Sequence, residues 1–246
     1  MEALRVEGLS KDFGGVQAVQ NISFSLEVGE RIAIIGPNGA GKTTLFNMLN
    51  GQLSPTAGRM FLFGQEITAM ATYRRAHLGQ ARSFQLISLF PGLTVFHNLL
   101  LALHGTKPSR LGMFRSTTDY GNIVAKAEDL LHSMGLWERR NDPMRTISYG
   151  EQRKVEIALS LASEPRMLLL DEPSTGLSAA ESKEIVDMIR DLGLDITVLL
   201  VAHDMDLVFG VAERIMVLHY GQIIADGTPR KIQADSKVRE IYIGIE

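Results

Sequence analysis

Three stretches of this chain are apolar at nearly every consecutive position: Ile32 to Ile35, Met167 to Leu170 and Thr197 to Val201. A strand that is apolar on both faces belongs in the middle of a parallel sheet, with other elements covering each side. Elsewhere the spacing changes. Ile22, Phe24 and Leu26 alternate with Ser23 and Ser25, so this strand keeps one face wet. Residues 4 to 9 and the glycine-bounded 58 to 64 also read as strands, and Asp12-Phe13-Gly14-Gly15 reads as a turn carrying one aromatic ring. From Pro91 to about Arg145 the period becomes helical, with Ile123, Ala127, Leu130, Leu131 and Met134 three and four residues apart. Further helices are predicted after Thr43, after Ser148, over a face made by Ile185, Met188, Ile189 and Leu192, and behind Asp204, which is placed to cap one. Arg214 to Leu218 and Gln222 to Ala225 flank Tyr220-Gly221 as a hairpin, and the tail from Pro229 is helical. Strands alternating with helices predict an α/β core with a parallel sheet, interrupted by a helical insert.

Composition narrows the class. The chain has 246 residues, 45% of them hydrophobic, enough to bury a full core. A net charge of −3 offers no basic footprint, so nucleic acid is not an expected partner. The absence of cysteine excludes disulfides, thiolate metal sites and thiol catalysis, and fits a reducing compartment. The first residues lack a basic start followed by an apolar core, so no secretory signal is expected and the chain reads as cytoplasmic. In the most apolar window, Leu86 to Leu103, the residues Pro91, Gly92, His97 and Asn98 break any span of membrane length.

The candidate chemistry centres on Gly36-Pro37-Asn38-Gly39-Ala40-Gly41-Lys42-Thr43, set between the first apolar strand and a helix. A polyphosphate needs many donors at close range, and glycines let backbone N–H groups curl around its oxygens. Lys42 adds a point charge. Thr43 opens the helix, whose positive end favours anions, and its hydroxyl suits Mg²⁺. Gly36, Asn38, Gly39, Ala40, Gly41, Lys42, Thr43 and Thr44 are therefore the candidate nucleotide contacts. Leu168 to Leu170 delivers Asp171 and Glu172 to the carboxyl end of a strand, where open α/β sheets bind ligands. Asp171 would hold Mg²⁺ through its waters and so partner Thr43, while Glu172 would polarise the attacking water. Ser148-Tyr149-Gly150-Glu151 has the spacing of a capping box, which is physically sufficient to explain it. A serine and a glycine at a helix N-terminus also form an anion site, and nothing local decides between the two uses.

Ile147-Ser148-Tyr149-Gly150-Glu151-Gln152, set shortly before Leu168 to Glu172, resembles the signature of ATP-binding cassette (ABC) ATPases, and the similarity covers nearly the whole chain. The resemblance implies a P-loop NTPase (RecA-like) core with a parallel sheet, an N-terminal antiparallel β subdomain and a helical insert. Residues 1–90 and 164–246 would form the nucleotide-binding core with its β subdomain, and 91–163 the helical subdomain. It also implies that Phe13 stacks on adenine, a contact worth on the order of 1 kcal/mol, that Gln85 contacts the metal or attacking water, and that His203 contacts the γ-phosphate. Ser148, Gly150 and Glu151 would meet the ATP held by the opposite subunit. Tyr149 departs from the usual signature glycine, Glu151 stands where glutamine is common, and Ser178 replaces an aspartate common at the subunit crossing.

Within that family, the signature, the Glu172 to Leu177 segment, the 105 to 121 insert and the ending Glu240-Ile241-Tyr242-Ile243-Gly244 resemble the ATPases of branched-chain and hydrophobic amino acid importers. The implied unit is a homo- or heterodimer of cassettes on the cytoplasmic face of the membrane, beneath two permease subunits, served by an extracytoplasmic solute-binding protein, with ATP and Mg²⁺ as cofactors. A partner helix is expected in a groove lined by Gln85, Leu89, Phe90 and Val95. The 105 to 121 stretch, with Lys107, Arg110 and Arg115 beside apolar residues, reads as a surface loop or as a contact with a partner or lipid headgroups. A lipopolysaccharide-type exporter is the alternative, ahead of a soluble cassette acting on DNA or ribosomes, for which the expected coiled coil, tandem cassette and basic patch are missing. A P-loop kinase or GTPase leaves the signature unexplained.

Overall fold

The computed structural model describes residues 1–83, 89–105 and 121–243. Two sheets organise them. The first is antiparallel and takes up the N-terminal strands β1 (Glu2–Phe13), β2 (Val16–Glu27), β4 (Ala57–Leu62) and β5 (Gln65–Glu66) in the order β2-β1-β4-β5. The β1–β2 hairpin is longer than the alternation predicts, because four register shifts break the pattern along it.

The second sheet has the order β10-β9-β3-β8-β7-β6, built from β3 (Arg31–Ile35), β6 (Gln80–Arg82), β7 (Met167–Asp171), β8 (Thr197–Val201), β9 (Arg214–His219) and β10 (Gln222–Gly227). Strands β9, β3, β8, β7 and β6 are parallel, and only the edge strand β10 runs the other way. The consecutive apolar runs are explained by what lies on each side. Ala33, Ile35, Leu168, Leu170 and Leu200 face one core, under helices that include α5 (Tyr149–Leu161), α6 (Ala179–Arg190) and α7 (Met205–Val211). Ile32, Ile34, Leu169, Leu199 and Val201 face a second core, shared with the antiparallel sheet and with α1 (Lys42–Asn50). Successive side chains point to opposite faces, so the sheet needs apolar residues at both parities.

Before α5 the chain adds α2 (Thr72–His77), α3 (Val95–Gly105) and α4 (Gly121–Ser133); after β10 it ends in α8 (Pro229–Ala234) and α9 (Ser236–Ile243). Among the described residues no helix is long and apolar enough to cross a membrane. The expected groove lining needs one correction: Val95 is fully buried in the core, where the helical period of α3 turns it inward, whereas Phe90 is 58% exposed and Leu89 half-buried. Most of the 105 to 121 stretch, including Lys107, Arg110 and Arg115, lies outside the described residues, as does Gln85.

Candidate functional site

The loop after β3 passes close beneath its neighbours. At Gly41, φ is 100°, and a Cβ there would lie 2.3 Å from the Ala18 carbonyl oxygen of β2. Only glycine fits such a backbone, which lets the loop turn directly into α1. Asn38 and Gly39 are exposed at the tip and Thr43 is exposed in the first turn of α1, with Thr44 half-buried. Gly36 is buried at the loop's entrance. Ala40 packs its methyl into the core, and its N–H donates to the Pro37 carbonyl at 3.2 Å. The Lys42 ammonium is folded onto the loop, donating to the Gly36 carbonyl at 2.6 Å and the Pro37 carbonyl at 2.9 Å. Burial holds its pKa below the usual lysine value, and the Glu172 carboxylate offsets part of that shift. A lysine satisfied by carbonyls is one that a phosphate would bind better, since the anion supplies charge as well as acceptors.

Strands β7 and β8 bring the acids and the histidine to the same end of the sheet, in register: Asp171 pairs with Val201, two residues before His203. Asp171 is 2% exposed and ion-paired with Arg82 at 2.7 Å. Burial pushes its carboxyl above the usual range, Arg82 pulls it back, and Glu172 pushes it up again. Glu172 has φ 48°, a left-handed conformation unusual outside glycine, fixed by its N–H donating to the Val201 carbonyl at 2.8 Å. Its carboxylate accepts from Thr175 Oγ1 at 3.1 Å and lies 3.4 Å from Nδ1 of His203, whose side chain is 61% exposed. A cleft of about 560 Å³ is lined by Gly36 to Ala40, His203, His219, Tyr220, Glu240 and Ile241.

Phe13 sits at the tip of the β1–β2 hairpin, 49% exposed, with the Lys11 ammonium 5.2 Å from its ring centroid. The second candidate anion site is at the start of α5. The capping box is formed: Glu151 N–H donates to Ser148 Oγ at 3.2 Å, and Ser148 N–H to Glu151 Oε2 at 2.8 Å. Glu151 Oε1 accepts from Arg139 at 3.0 Å, so both carboxylate oxygens serve the cap and its neighbour. Gly150 is buried, and a Cβ there would lie 2.5 Å from Oε1 of Glu181 on α6. Its N–H donates to that carboxylate, which also accepts from Ser178 Oγ at 2.7 Å. Ser178, at the position where an aspartate is common in the resembling family, thus caps α6. Among the described residues lining the cleft at the phosphate loop, none comes from α5. The loop after β3 and the start of α5 are thus two candidate anion sites, and no α5 residue lines the cleft beside the loop.

The ABC transporter family profile matches residues 19–175, from β2 through the acids at the end of β7. The chain belongs to the ABC transporter family, as an ATP-binding, ATP-hydrolysing subunit. A second profile, described as the branched-chain amino acid ATP-binding cassette transporter, matches residues 222–246. The high-affinity branched-chain amino acid transport ATP-binding protein LivG of Escherichia coli (strain K12) is 38% identical over 250 residues, covering 98% of this chain and 97% of the relative. The lipopolysaccharide export system ATP-binding protein LptB of Acidithiobacillus ferridurans is 34% identical, over 99% of this chain and 97% of its own. Among solved structures, a nucleotide-free ATP-binding cassette from an ABC transporter superposes with a TM-score of 0.85 at 32% identity, covering 99% of this chain and 100% of that one.

Residue patterns left two contributors out of the candidate set. Arg82, which pairs with Asp171, sits in a three-residue edge strand too short to carry a period. Glu181 is one acid among several on an amphipathic helix, and only the fold sets it on Gly150.

Proposed function

We propose that this ABC ATPase powers the import of branched-chain or other hydrophobic amino acids. The reading is supported by the match of its C-terminal segment to the branched-chain transporter profile and by its likeness to LivG over nearly the full length of both chains. In this reading two cassettes, alike or different, pair beneath two permease subunits on the cytoplasmic face of the membrane. An extracytoplasmic binding protein delivers the solute, and residues 91–163 act as a helical subdomain that meets the permease.

The observation that carries the catalytic part is that one chain holds two candidate anion sites, the loop after β3 and the capped start of α5. The start of α5 contributes no residue to the cleft lined by Gly36 to Ala40, and in this reading each ATP lies between one chain's loop and the other's α5. Gly36 and Asn38 to Thr44 cradle the phosphates, Phe13 stacks on the base, and Lys42 leaves the Gly36 and Pro37 carbonyls for the β- and γ-oxygens. In the second chain Ser148 supplies a hydroxyl to the γ-phosphate and Gly150 an N–H, released from the Glu181 carboxylate it now meets, while Glu151 holds the helix start that presents them. Thr43 and Asp171 are hard oxygen donors of the kind that Mg²⁺ takes, and Gln85 completes the set. When bound, the cation neutralises charge on the β- and γ-phosphates. Glu172 orients water for in-line attack, and His203 donates to the γ-phosphate as negative charge accumulates there.

Reconstitution tests the reading. Purified with the permease subunits and solute-binding protein from its own genome, the chain should drive ATP-dependent uptake of leucine, isoleucine or valine into proteoliposomes. An exporter assignment predicts instead that no binding protein is needed and that lipopolysaccharide, rather than an amino acid, stimulates ATP turnover.

A further inference from the structure

Arg82 lies in the edge strand β6 and reaches across to β7. Its Nη2 donates to Asp171 Oδ2 at 2.7 Å, and its Nη1 donates to Asn47 Oδ1 at 2.8 Å and Gln52 Oε1 at 2.6 Å. The guanidinium carbon is 4.9 Å from the centroid of the Phe46 ring. Only 8% of the arginine side chain and 2% of its acidic partner is exposed. The strand is anchored as well, since Ser83 N–H donates to the Leu169 carbonyl at 2.9 Å.

The placement of the three acceptors gives this fork its meaning. Asn47 stands one helical turn beyond Thr43 on α1, on the same face, and Gln52 follows the end of that helix. Asp171 ends β7. One buried side chain thus ties the helix that carries Thr43 to the strand that carries Asp171. A planar guanidinium can hold such divergent acceptors at once, whereas an ammonium is a point charge on a flexible stem. A buried carboxylate with no opposite charge is also costly, and the neighbouring Glu172 adds to that cost.

We propose that Arg82 is a positioning residue for the Mg²⁺ of the ATPase reaction: it fixes the spacing of α1 and β7 and occupies Oδ2 of Asp171, leaving Oδ1 for the hydrated cation. The proposal rests on the reading that Thr43 and Asp171 hold that cation. Arg82 donates to Asn47, Gln52 and Asp171, and in this proposal it is a ligand of neither nucleotide nor metal. It acts through the two groups that hold the metal.

The test is binding of a fluorescent ATP analogue to the full-length protein, in EDTA and across a Mg²⁺ titration, with thermal melts of each variant. Arg82→Met should raise the half-saturating Mg²⁺ concentration about tenfold, the usual consequence of losing a residue behind a metal ligand. Binding in EDTA should stay at the native level. Arg82→Lys should remain about threefold or more defective, because lysine can pair with Asp171 but not also span Asn47 and Gln52. Gln52→Ala, at an exposed residue whose removal leaves the core intact, should shift the Mg²⁺ midpoint in the same direction by about twofold. An unchanged midpoint in Arg82→Met and Gln52→Ala overturns the proposal. So does full rescue by lysine, which would reduce the residue to a counter-charge. A native protein whose nucleotide binding and turnover ignore Mg²⁺ would instead overturn the metal reading on which the proposal stands.

Discussion

Glu172 Oε1 lies 3.4 Å from His203 Nδ1, at the ends of adjacent parallel strands. The acid and the imidazole thus meet at the carboxyl end of the sheet, where His203 lines the cleft beside the Gly36 to Ala40 loop. With Glu172 as the residue that orients water, Glu172→Gln should bind ATP with native affinity, lose turnover by at least about 10³-fold and accumulate as an ATP-bound dimer. Gel filtration with and without ATP, beside a phosphate-release assay, checks both parts.

The task proposed for His203 is different. Replacement of His203 by alanine should leave ATP binding within about twofold of native while kcat falls on the order of 10²-fold, because the lost contact strengthens only as charge develops. A matching loss in ATP affinity would make it a ground-state binding residue instead.

The start of α5 offers a steric test. Gly150→Ala places a methyl where Glu181 Oε1 now sits, and a flexible carboxylate can move aside. Circular dichroism and melting should therefore show a folded monomer. ATP-driven dimer formation in a Glu172→Gln background should weaken, because the added methyl obstructs the partner's γ-phosphate.

Arg75 is a structural counterpart to these residues. It is 2% exposed and donates to the carbonyls of Met48 and Leu49 at the end of α1, and to those of Ile67 and Met70. Burial lowers its pKa to about 10, so it stays charged at neutral pH. Arg75→Met would strand these acceptors in the interior and should cost about 3 kcal/mol of stability. Urea denaturation measures this directly; a change below about 0.5 kcal/mol would contradict the accounting.

Much of this architecture is legible in the residues. The central strands announce themselves because both faces are covered, the phosphate loop because glycines must fall where the backbone turns against Ala18, and the α5 cap because Ser148 and Glu151 have the spacing to close it. What stays hidden has physical causes. The hairpin of β1 and β2 is irregular, so only its regular part alternates. Strand β6 is three residues long, and an arginine within it looks like surface until its partners are known. The contact of Glu181 with Gly150 joins residues on two helices, which no local period can express.

In the proposed mechanism one chain supplies only half of each ATPase centre. Turnover measured while the species present are weighed by mass photometry or sedimentation, for the chain alone and with its partner cassette, tests it most directly. Hydrolysis should appear only with two-cassette species and rise with their concentration. Full-rate hydrolysis by a strict monomer would contradict it.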